Sequence, residues 1–94
     1  MAVTLLIPTA LRQFTDGNSE VNVEAATVKE ALDALSVRYV DLKKHLFNEA
    51  GNLRSFVNVY VNEDDIRQKS GLDTAVKADD TVMLVPSIAG GSNG

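Results

Sequence analysis

The sequence predicts an α+β fold: a mixed sheet of four to five strands with one main helix packed across one face. Three observations lead to this prediction. Short apolar segments near both ends of the chain alternate with a period of two, which is typical of half-buried strands. One longer segment between them has apolar residues at helical spacing. The chain has 94 residues, of which 45% are apolar, enough for one small core.

The amino-terminal segments predict a hairpin. Residues 3–7 alternate, with valine, leucine and isoleucine on one face, and a proline follows them. Residues 15–19 have the composition of a turn, with Asp-Gly as its tightest part. Residues 20–24 alternate again. We therefore expect two paired strands joined by a long loop.

The main helix is predicted to begin after Thr27. Thr27 and Glu30 form a T-x-x-E capping box, in which each side chain accepts a hydrogen bond from a backbone N–H that the helix start leaves unpaired. The apolar residues that recur at helical spacing are Val28, Ala31, Leu32, Leu35 and Tyr39. The residues predicted on the solvent side are Lys29, Asp33, Ser36 and Arg38. Residues 40–47 are expected to add one or two helical turns before a loop.

The second half of the chain predicts the remaining strands. Residues 56–62 alternate, with the valines on one face and Phe56, Asn58 and Tyr60 on the other. A short edge strand is expected at residues 66–67, and the last strand at residues 81–86. The first and last strands are the richest in valine, leucine and isoleucine, so we expect them at the centre of the sheet. This element order is that of the β-grasp, or ubiquitin-like, fold.

Composition excludes several classes of function. The net charge is −4, and the basic residues are dispersed apart from Lys43 and Lys44, which argues against a nucleic-acid partner. The chain has no cysteine, and therefore no disulfide, thiolate metal site or thiol nucleophile. Its longest apolar runs have four or five residues, so we predict no membrane span and no signal peptide. A cytoplasmic location is expected.

Two isolated features have ordinary explanations. His45 is the single histidine and follows a lysine, which is typical of a solvated residue at a helix end and not of a catalytic group. Glu63, Asp64 and Asp65 lack the alternating spacing and distal glutamate of a calcium loop, so we interpret them as a solvated turn. No metal site is predicted.

Outward-facing residues of the sheet predict a contact surface. If Val82 and Leu84 face the helix, then Met83 and Val85 face outward. They would lie beside Phe56, Tyr60 and Leu6. We predict a partner interface formed by Phe56, Tyr60, Met83 and Val85, because an apolar patch of this kind commonly marks a protein contact. Scattered exposed apolar side chains are the alternative.

The carboxyl terminus is the most informative segment. The apolar run at residues 82–85 is followed by a proline, small residues and the pair Gly90 and Gly91. Glycine lacks a Cβ, so such a tail can enter a narrow active site of another protein. An ordinary glycine-rich terminus is the alternative. We predict a domain over residues 1–87 and a flexible tail over residues 88–94.

Residues 77–91 resemble the C-terminal signature of the MoaD/ThiS sulfur carriers: an acidic turn, an apolar strand, a proline, small residues and Gly-Gly. Residues 3–8 followed by Leu11 and Arg12 also fit this family, as do residues 56–62 with their acidic continuation. The resemblance covers most of the chain in the right order. It is closest to the CysO-type subgroup, whose members serve cysteine biosynthesis.

The resemblance implies a carrier that binds no cofactor and is not an enzyme. In this family an adenylating enzyme of the ubiquitin-activating type uses ATP to join AMP to the terminal glycine carboxylate. Sulfide or a persulfide then displaces AMP and leaves a thiocarboxylate. By position, Gly91 is the activated residue, and Ala89 and Gly90 form the tail beside it. A sulfur-accepting synthase, expected to form cysteine, is the implied recipient; molybdopterin and thiamine synthesis remain alternatives.

One departure from the family pattern affects the terminus. Ser92, Asn93 and Gly94 follow Gly91, whereas the functional terminus of the family is Gly-Gly with a free carboxylate. The bond between Gly91 and Ser92 is therefore the predicted processing site, and the family implies a zinc JAMM-type peptidase for it. The alternatives are that Gly94 is used or that the last three residues were added for expression. A protein modifier joined to lysines and an inert β-grasp binding module remain rival functions.

Overall fold

The computed structural model describes residues 2–86, which form a five-stranded mixed sheet with a layer of helices on one face. The strands are β1 (Ala2–Leu6), β2 (Glu20–Glu24), β3 (Val57–Val61), β4 (Asp64–Asp65) and β5 (Thr81–Pro86). The helices are α1 (Val28–Arg38) and α2 (Val40–Leu46), with short 3₁₀ helices at Thr9–Phe14, Ile66–Gln68 and Gly71–Asp73. The predicted α+β, β-grasp fold is confirmed.

The strand order is β2-β1-β5-β3-β4. The two terminal strands, β1 and β5, lie side by side and run parallel, while the other neighbouring pairs are antiparallel. The prediction that these strands lie centrally is therefore confirmed. β1 and β2 form the predicted hairpin, although its long connection contains the unpredicted 3₁₀ helix at Thr9–Phe14.

The core lies between the sheet and α1. The alternating residues of β1 and β5 face it, as does Ile7 just after β1, and the exposed fraction is at most 2% for Val3, Leu5, Ile7, Val82 and Leu84. The apolar stripe of α1 faces it from the other side, with no exposed surface at Val28, Ala31, Leu32 or Leu35. The apolar residues that alternate along the strands and those that recur at helical spacing in α1 thus form one core cluster, as the sequence patterns predicted.

The start of α1 has the predicted cap in a slightly different form. The Glu30 backbone N–H donates to the Thr27 Oγ1 over 3.2 Å. The Glu30 side chain accepts from the backbone N–H of Ala26 over 2.8 Å, one residue earlier than the standard capping box. The pair therefore fixes the chain as it enters the helix and satisfies two backbone donors.

The solvent side of α1 was predicted incorrectly at one position. Ser36 is only 5% exposed, because it lies four residues after Leu32 and so falls on the buried stripe. α2 follows α1 directly and packs against it. No hydrogen-bond partner for the Ser36 hydroxyl is found within residues 2–86.

The short edge strand was predicted two residues too late. β4 comprises Asp64 and Asp65, because Asn62 adopts a positive φ of 59° and turns the chain at once. Residue 66 then begins a 3₁₀ helix and not a strand. The Asp65 side chain caps that helix by accepting from the Arg67 backbone N–H over 2.8 Å.

None of the helices within residues 2–86 is long and apolar enough to cross a membrane.

Candidate functional site

The last described residue, Pro86, places the root of the tail at the middle of the sheet. β5 is flanked by β1 on one side and by β3 on the other, and Pro86 is paired with Val57 at the start of β3. Because β1 and β5 are parallel, their carboxyl ends lie at the same edge of the sheet. β5 is therefore a central strand whose end is held by β3 through Pro86, while its pairing with β1 extends as far as Met83.

The predicted tail and processing residues, namely Ala89, Gly90, Gly91 and Ser92, lie outside the described residues. So does the predicted boundary between residues 87 and 88. Their roles stay predictions that rest on the sequence.

The open face of the sheet, opposite α1, carries one continuous row of side chains. The strand register aligns Glu20, Leu6, Met83, Tyr60 and Asp65, one from each strand. Directly paired residues point to the same face, so these five side chains are neighbours across the sheet. The row has three large side chains at its centre and a carboxylate at each end. An apolar strip with acidic ends therefore crosses the face.

The rows on either side of this strip differ in polarity. Toward the amino end of β1, the row contains Asn22, Thr4 and Thr81, and the Thr4 hydroxyl donates to Asn22 Oδ1 over 2.9 Å. Toward the tail, Val85 lies opposite Asn58. The apolar part of the open face is therefore the half nearest the root of the tail.

The structure brings together most of the predicted interface. Met83, Val85 and Tyr60 are half-buried on the open face, where alternation predicted them. Phe56 is 40% exposed, but it lies in the turn before β3 and not in the strand. A contact role for these four residues stays a prediction.

A groove beside the tail root includes two groups that sequence reasoning missed. It has a volume of about 630 Å³ and lies between the carboxyl ends of β1 and β5, with Arg12 and Glu20 among its lining residues. The Arg12 Nε donates to the Ile7 carbonyl over 3.0 Å, which holds this side chain against the end of β1. In the sequence, Arg12 was indicated only as part of the Leu-Arg pair that follows the first strand. Arg12 therefore contributes a positive charge at the tail root.

The acidic segment after β3 is involved in ion pairs. Arg67 Nη2 lies 2.8 Å from Asp65 Oδ2, and Lys69 Nζ lies 3.6 Å from Asp64 Oδ2. The pKa of the Asp65 carboxyl is below its ordinary value, chiefly because the Arg67 side chain donates hydrogen bonds to it, together with the Arg67 backbone N–H. Within residues 2–86, no group of three or more histidine or carboxylate side chains is arranged to hold a metal ion.

His45 lies in the last turn of α2, as predicted, but it is half-buried and not fully solvated. Its ring stacks on Phe14, with 4.1 Å between ring centroids and an angle of 26° between the planes. His45 thus packs the 3₁₀ helix of the hairpin connection against α2.

Comparison with known proteins agrees with the geometry. Residues 5–91 match the ThiS family. Over 93 residues the chain is 38% identical to the sulfur carrier protein CysO of Mycobacterium tuberculosis, covering 97% of this chain and 100% of that protein. A chain in the crystal structure of the Amycolatopsis orientalis BexX/CysO complex superposes with a TM-score of 0.87 at 39% identity, covering 98% of this chain and 99% of that one.

A third relative differs in its described role. SAMP1 of Haloferax volcanii, a small archaeal modifier protein, superposes with a TM-score of 0.84 at 28% identity and 100% coverage of both chains. Together these matches confirm the family resemblance that the sequence motifs indicated.

Proposed function

This chain belongs to the ThiS family, and from that premise we propose that it is a sulfur carrier whose Gly91, once it is the terminal residue, is converted to a thiocarboxylate. The observation that carries the proposal is the match to the sulfur carrier CysO, which is 38% identical and covers 97% of this chain. The match to the family extends to residue 91, the second glycine of the tail pair. In this role the chain is the substrate of other enzymes and binds no cofactor of its own.

The proposed chemistry has two steps at the Gly91 carboxyl group, followed by a reduction where the sulfur comes from a persulfide. A carboxylate oxygen attacks the α-phosphate of ATP within the activating enzyme, and pyrophosphate leaves to give an acyl-adenylate. Sulfide, or the terminal sulfur of a persulfide, then attacks the carbonyl carbon, and AMP leaves with the bonding electron pair. Where a persulfide is the donor, a reductant must cleave the remaining S–S bond to release the thiocarboxylate.

The part of the chain described here supports this role by presenting the tail. β5 lies between β1 and β3, and Pro86 at its end is paired with Val57 of β3. Gly91 is the fifth residue after Pro86, a span that reaches at most about 18 Å when extended. The Gly91 carboxylate can therefore enter the active site of the activating enzyme while the open sheet face contacts the surface of the same enzyme. Holding the reacting groups in this way lowers the entropic cost of the reaction.

A cysteine-forming synthase is the recipient that we propose, since CysO proteins match over nearly the full length at 38–39% identity, compared with 28% for SAMP1. Molybdopterin and thiamine synthesis are the alternatives within the same chemistry. A zinc JAMM-type peptidase is proposed to remove Ser92, Asn93 and Gly94. The similarity to SAMP1 specifically favours a second candidate function, in which a lysine amine of a target protein attacks the activated Gly91.

Intact mass spectrometry of the protein purified from its own cells tests the proposal. We expect a chain trimmed to Gly91, with a fraction heavier by the exchange of one oxygen for sulfur. Isopeptide-linked species on other proteins, without any thiocarboxylate, would favour the modifier instead. If the cells need the sulfur product for growth and yet contain the chain solely in its untrimmed and unmodified form, both functions would be contradicted.

A charge placed in the apolar strip should weaken binding to the activating enzyme. Met83 is at the centre of the strip, paired with both Leu6 and Tyr60, so Met83→Glu would introduce an unpaired carboxylate into the contact region. We expect binding to weaken by at least about tenfold, equivalent to about 1.4 kcal/mol. Isothermal titration calorimetry with the activating enzyme measures this directly.

The matched control is Asn22→Glu, which adds the same charge to the same face but in the polar row. It should change the affinity less than about twofold, provided that thermal unfolding shows both variants folded. Equal affinities for the wild-type chain, Met83→Glu and Tyr60→Glu would exclude the strip as the contact surface.

A further inference from the structure

The helical side of the molecule carries two conspicuously exposed apolar residues. Val37, near the end of α1, is 79% exposed, and Val40, the first residue of α2, is 71% exposed. Valine on a helix surface loses side-chain freedom and gains no burial, so it is a poor choice for folding alone. These two positions therefore contribute little to the stability of the domain.

Val40 begins a stripe along one face of α2. Val40, Lys43 and Lys44 are spaced at i, i+3 and i+4, so they lie on one side of the helix, and the buried Phe47 follows as the C-cap. Together with Arg54 they line a groove of about 340 Å³. The opposite side of α2 is buried in the core through its leucines. The groove thus has an apolar floor and a basic rim.

The charge of this groove is opposite to that of the chain. Lys43, Lys44 and Arg54 line it, with Glu49 as the one carboxylate among its lining residues, while the whole chain has a net charge of −4. Within residues 2–86, none of these three cations forms a salt bridge, in contrast to Lys29, which pairs with Asp33. The positive charge is therefore available to a partner.

The wall of the groove is held in place by hydrogen bonds. The Arg54 Nε donates to the Lys44 carbonyl over 2.7 Å, and the Arg54 backbone N–H donates to the Leu46 carbonyl over 2.8 Å. The Asn48 side chain accepts from the backbone N–H groups of Ala50 and Asn52. A surface that is already ordered loses little conformational entropy on binding.

We propose that this surface, defined as the α2 surface and formed by Val40, Lys43, Lys44 and Arg54, binds an acidic segment of a partner protein that also carries an apolar side chain. The apolar side chain would cover Val40 and the carboxylates would meet the basic rim. A nucleic acid fits less well, because three cations are few beside the six to ten phosphate contacts, roughly, of a typical binding protein.

The α2 surface shares no lining residue with the groove at the tail root, and α2 packs on α1 and on the 3₁₀ helix at Thr9–Phe14. A partner held at the α2 surface therefore does not occupy the residues of the apolar strip or of that groove. The inference rests on charge, exposure and groove geometry, and it does not depend on the proposed sulfur chemistry.

The test is an NMR titration of the ¹⁵N-labelled full chain with a short synthetic peptide that places glutamate and leucine at helical spacing. We expect chemical-shift changes confined to residues 37–54, and affinity that falls as salt is raised. A peptide with lysine in place of each glutamate should leave the spectrum unchanged. The double variant Lys43→Glu/Lys44→Glu should bind the acidic peptide at least about tenfold more weakly.

The matched control is Lys29→Glu/Lys77→Glu, which makes the same change of net charge at exposed lysines outside the groove. It should alter the affinity less than about threefold, through the long-range field alone. If both double variants bound the acidic peptide equally weakly, the effect would come from overall charge alone and the proposal would be overturned. The absence of any shift, shifts centred on the open face, equal binding of both peptides, or binding of duplex DNA or anionic vesicles in place of the acidic peptide would overturn it as well.

Discussion

Replacing Leu32 with alanine is expected to lower the free energy of unfolding by about 2–5 kcal/mol. Leu32 has no exposed surface and is at the centre of the α1 stripe that packs on the sheet. The substitution removes buried methyl groups and leaves a cavity that the surrounding strands cannot fully close. Because small domains have only about 5–15 kcal/mol of stability, the loss should be evident in urea denaturation.

The same helix provides the control. Val37→Ala also removes methyl groups from α1, but at a position that is 79% exposed. Its effect should stay within about 0.5 kcal/mol, and alanine's higher helix propensity favours a slight gain. A change of under about 0.5 kcal/mol for Leu32→Ala would mean that the buried face of the helix is assigned wrongly.

Sequence reasoning succeeded where a periodic pattern covers a whole element. Alternation placed Val82 and Leu84 toward the core and Met83 and Val85 on the open face, because a strand buried on one side must alternate. The α1 stripe was predicted for the same reason at helical spacing. Ser36 is the exception, because serine is usually exposed but this one lies four residues after Leu32 and so falls on the buried stripe.

Short elements were less predictable, since their form depends on single backbone angles. Asn62 has a positive φ, which makes the turn after β3 so tight that β4 begins at Asp64. A strand of two residues is too short to show an alternating pattern in the sequence. The 3₁₀ helix at Thr9–Phe14 has one buried residue, Leu11, too few to produce a pattern.

The candidate site depends both on periodic patterns, which the sequence shows, and on features that only the folded chain shows. That Leu6, Met83 and Tyr60 face outward follows from alternation, but their alignment in one row depends on the register of three strands that are far apart in sequence. The position of Arg12 beside the tail root depends on its hydrogen bond to the Ile7 carbonyl, a local contact in the irregular connection after β1 that no periodic pattern indicates. The role of Gly91 rests on the tail sequence and the family match, and its test is chemical.

A chain that ends at Gly91 is expected to support ATP–pyrophosphate exchange by the activating enzyme, whereas the chain that ends at Gly94 should be inert. The attacking atom is a carboxylate oxygen, and the Gly91 carbonyl is part of a peptide bond while Ser92 is attached. Both chains end in glycine with a free carboxylate. The comparison therefore tests how far the terminal carboxylate lies from the sheet, and not whether a carboxylate is present. The three extra residues displace that carboxylate by up to about 10 Å from the position that the enzyme should recognise.

Two further chains separate the position of the carboxylate from the shape of the tail. Gly91→Ala in the chain ending at residue 91 keeps the carboxylate in place but adds a Cβ, so its exchange should be slower and not abolished. The 94-residue chain should become active after treatment with the trimming peptidase, in step with the loss of Ser92, Asn93 and Gly94 by mass. Equal exchange by the untreated chains ending at Gly91 and Gly94 would show that trimming is unnecessary. Exchange by the longer chain alone would assign the activated carboxylate to Gly94, because the enzyme would then require the reach of the full tail.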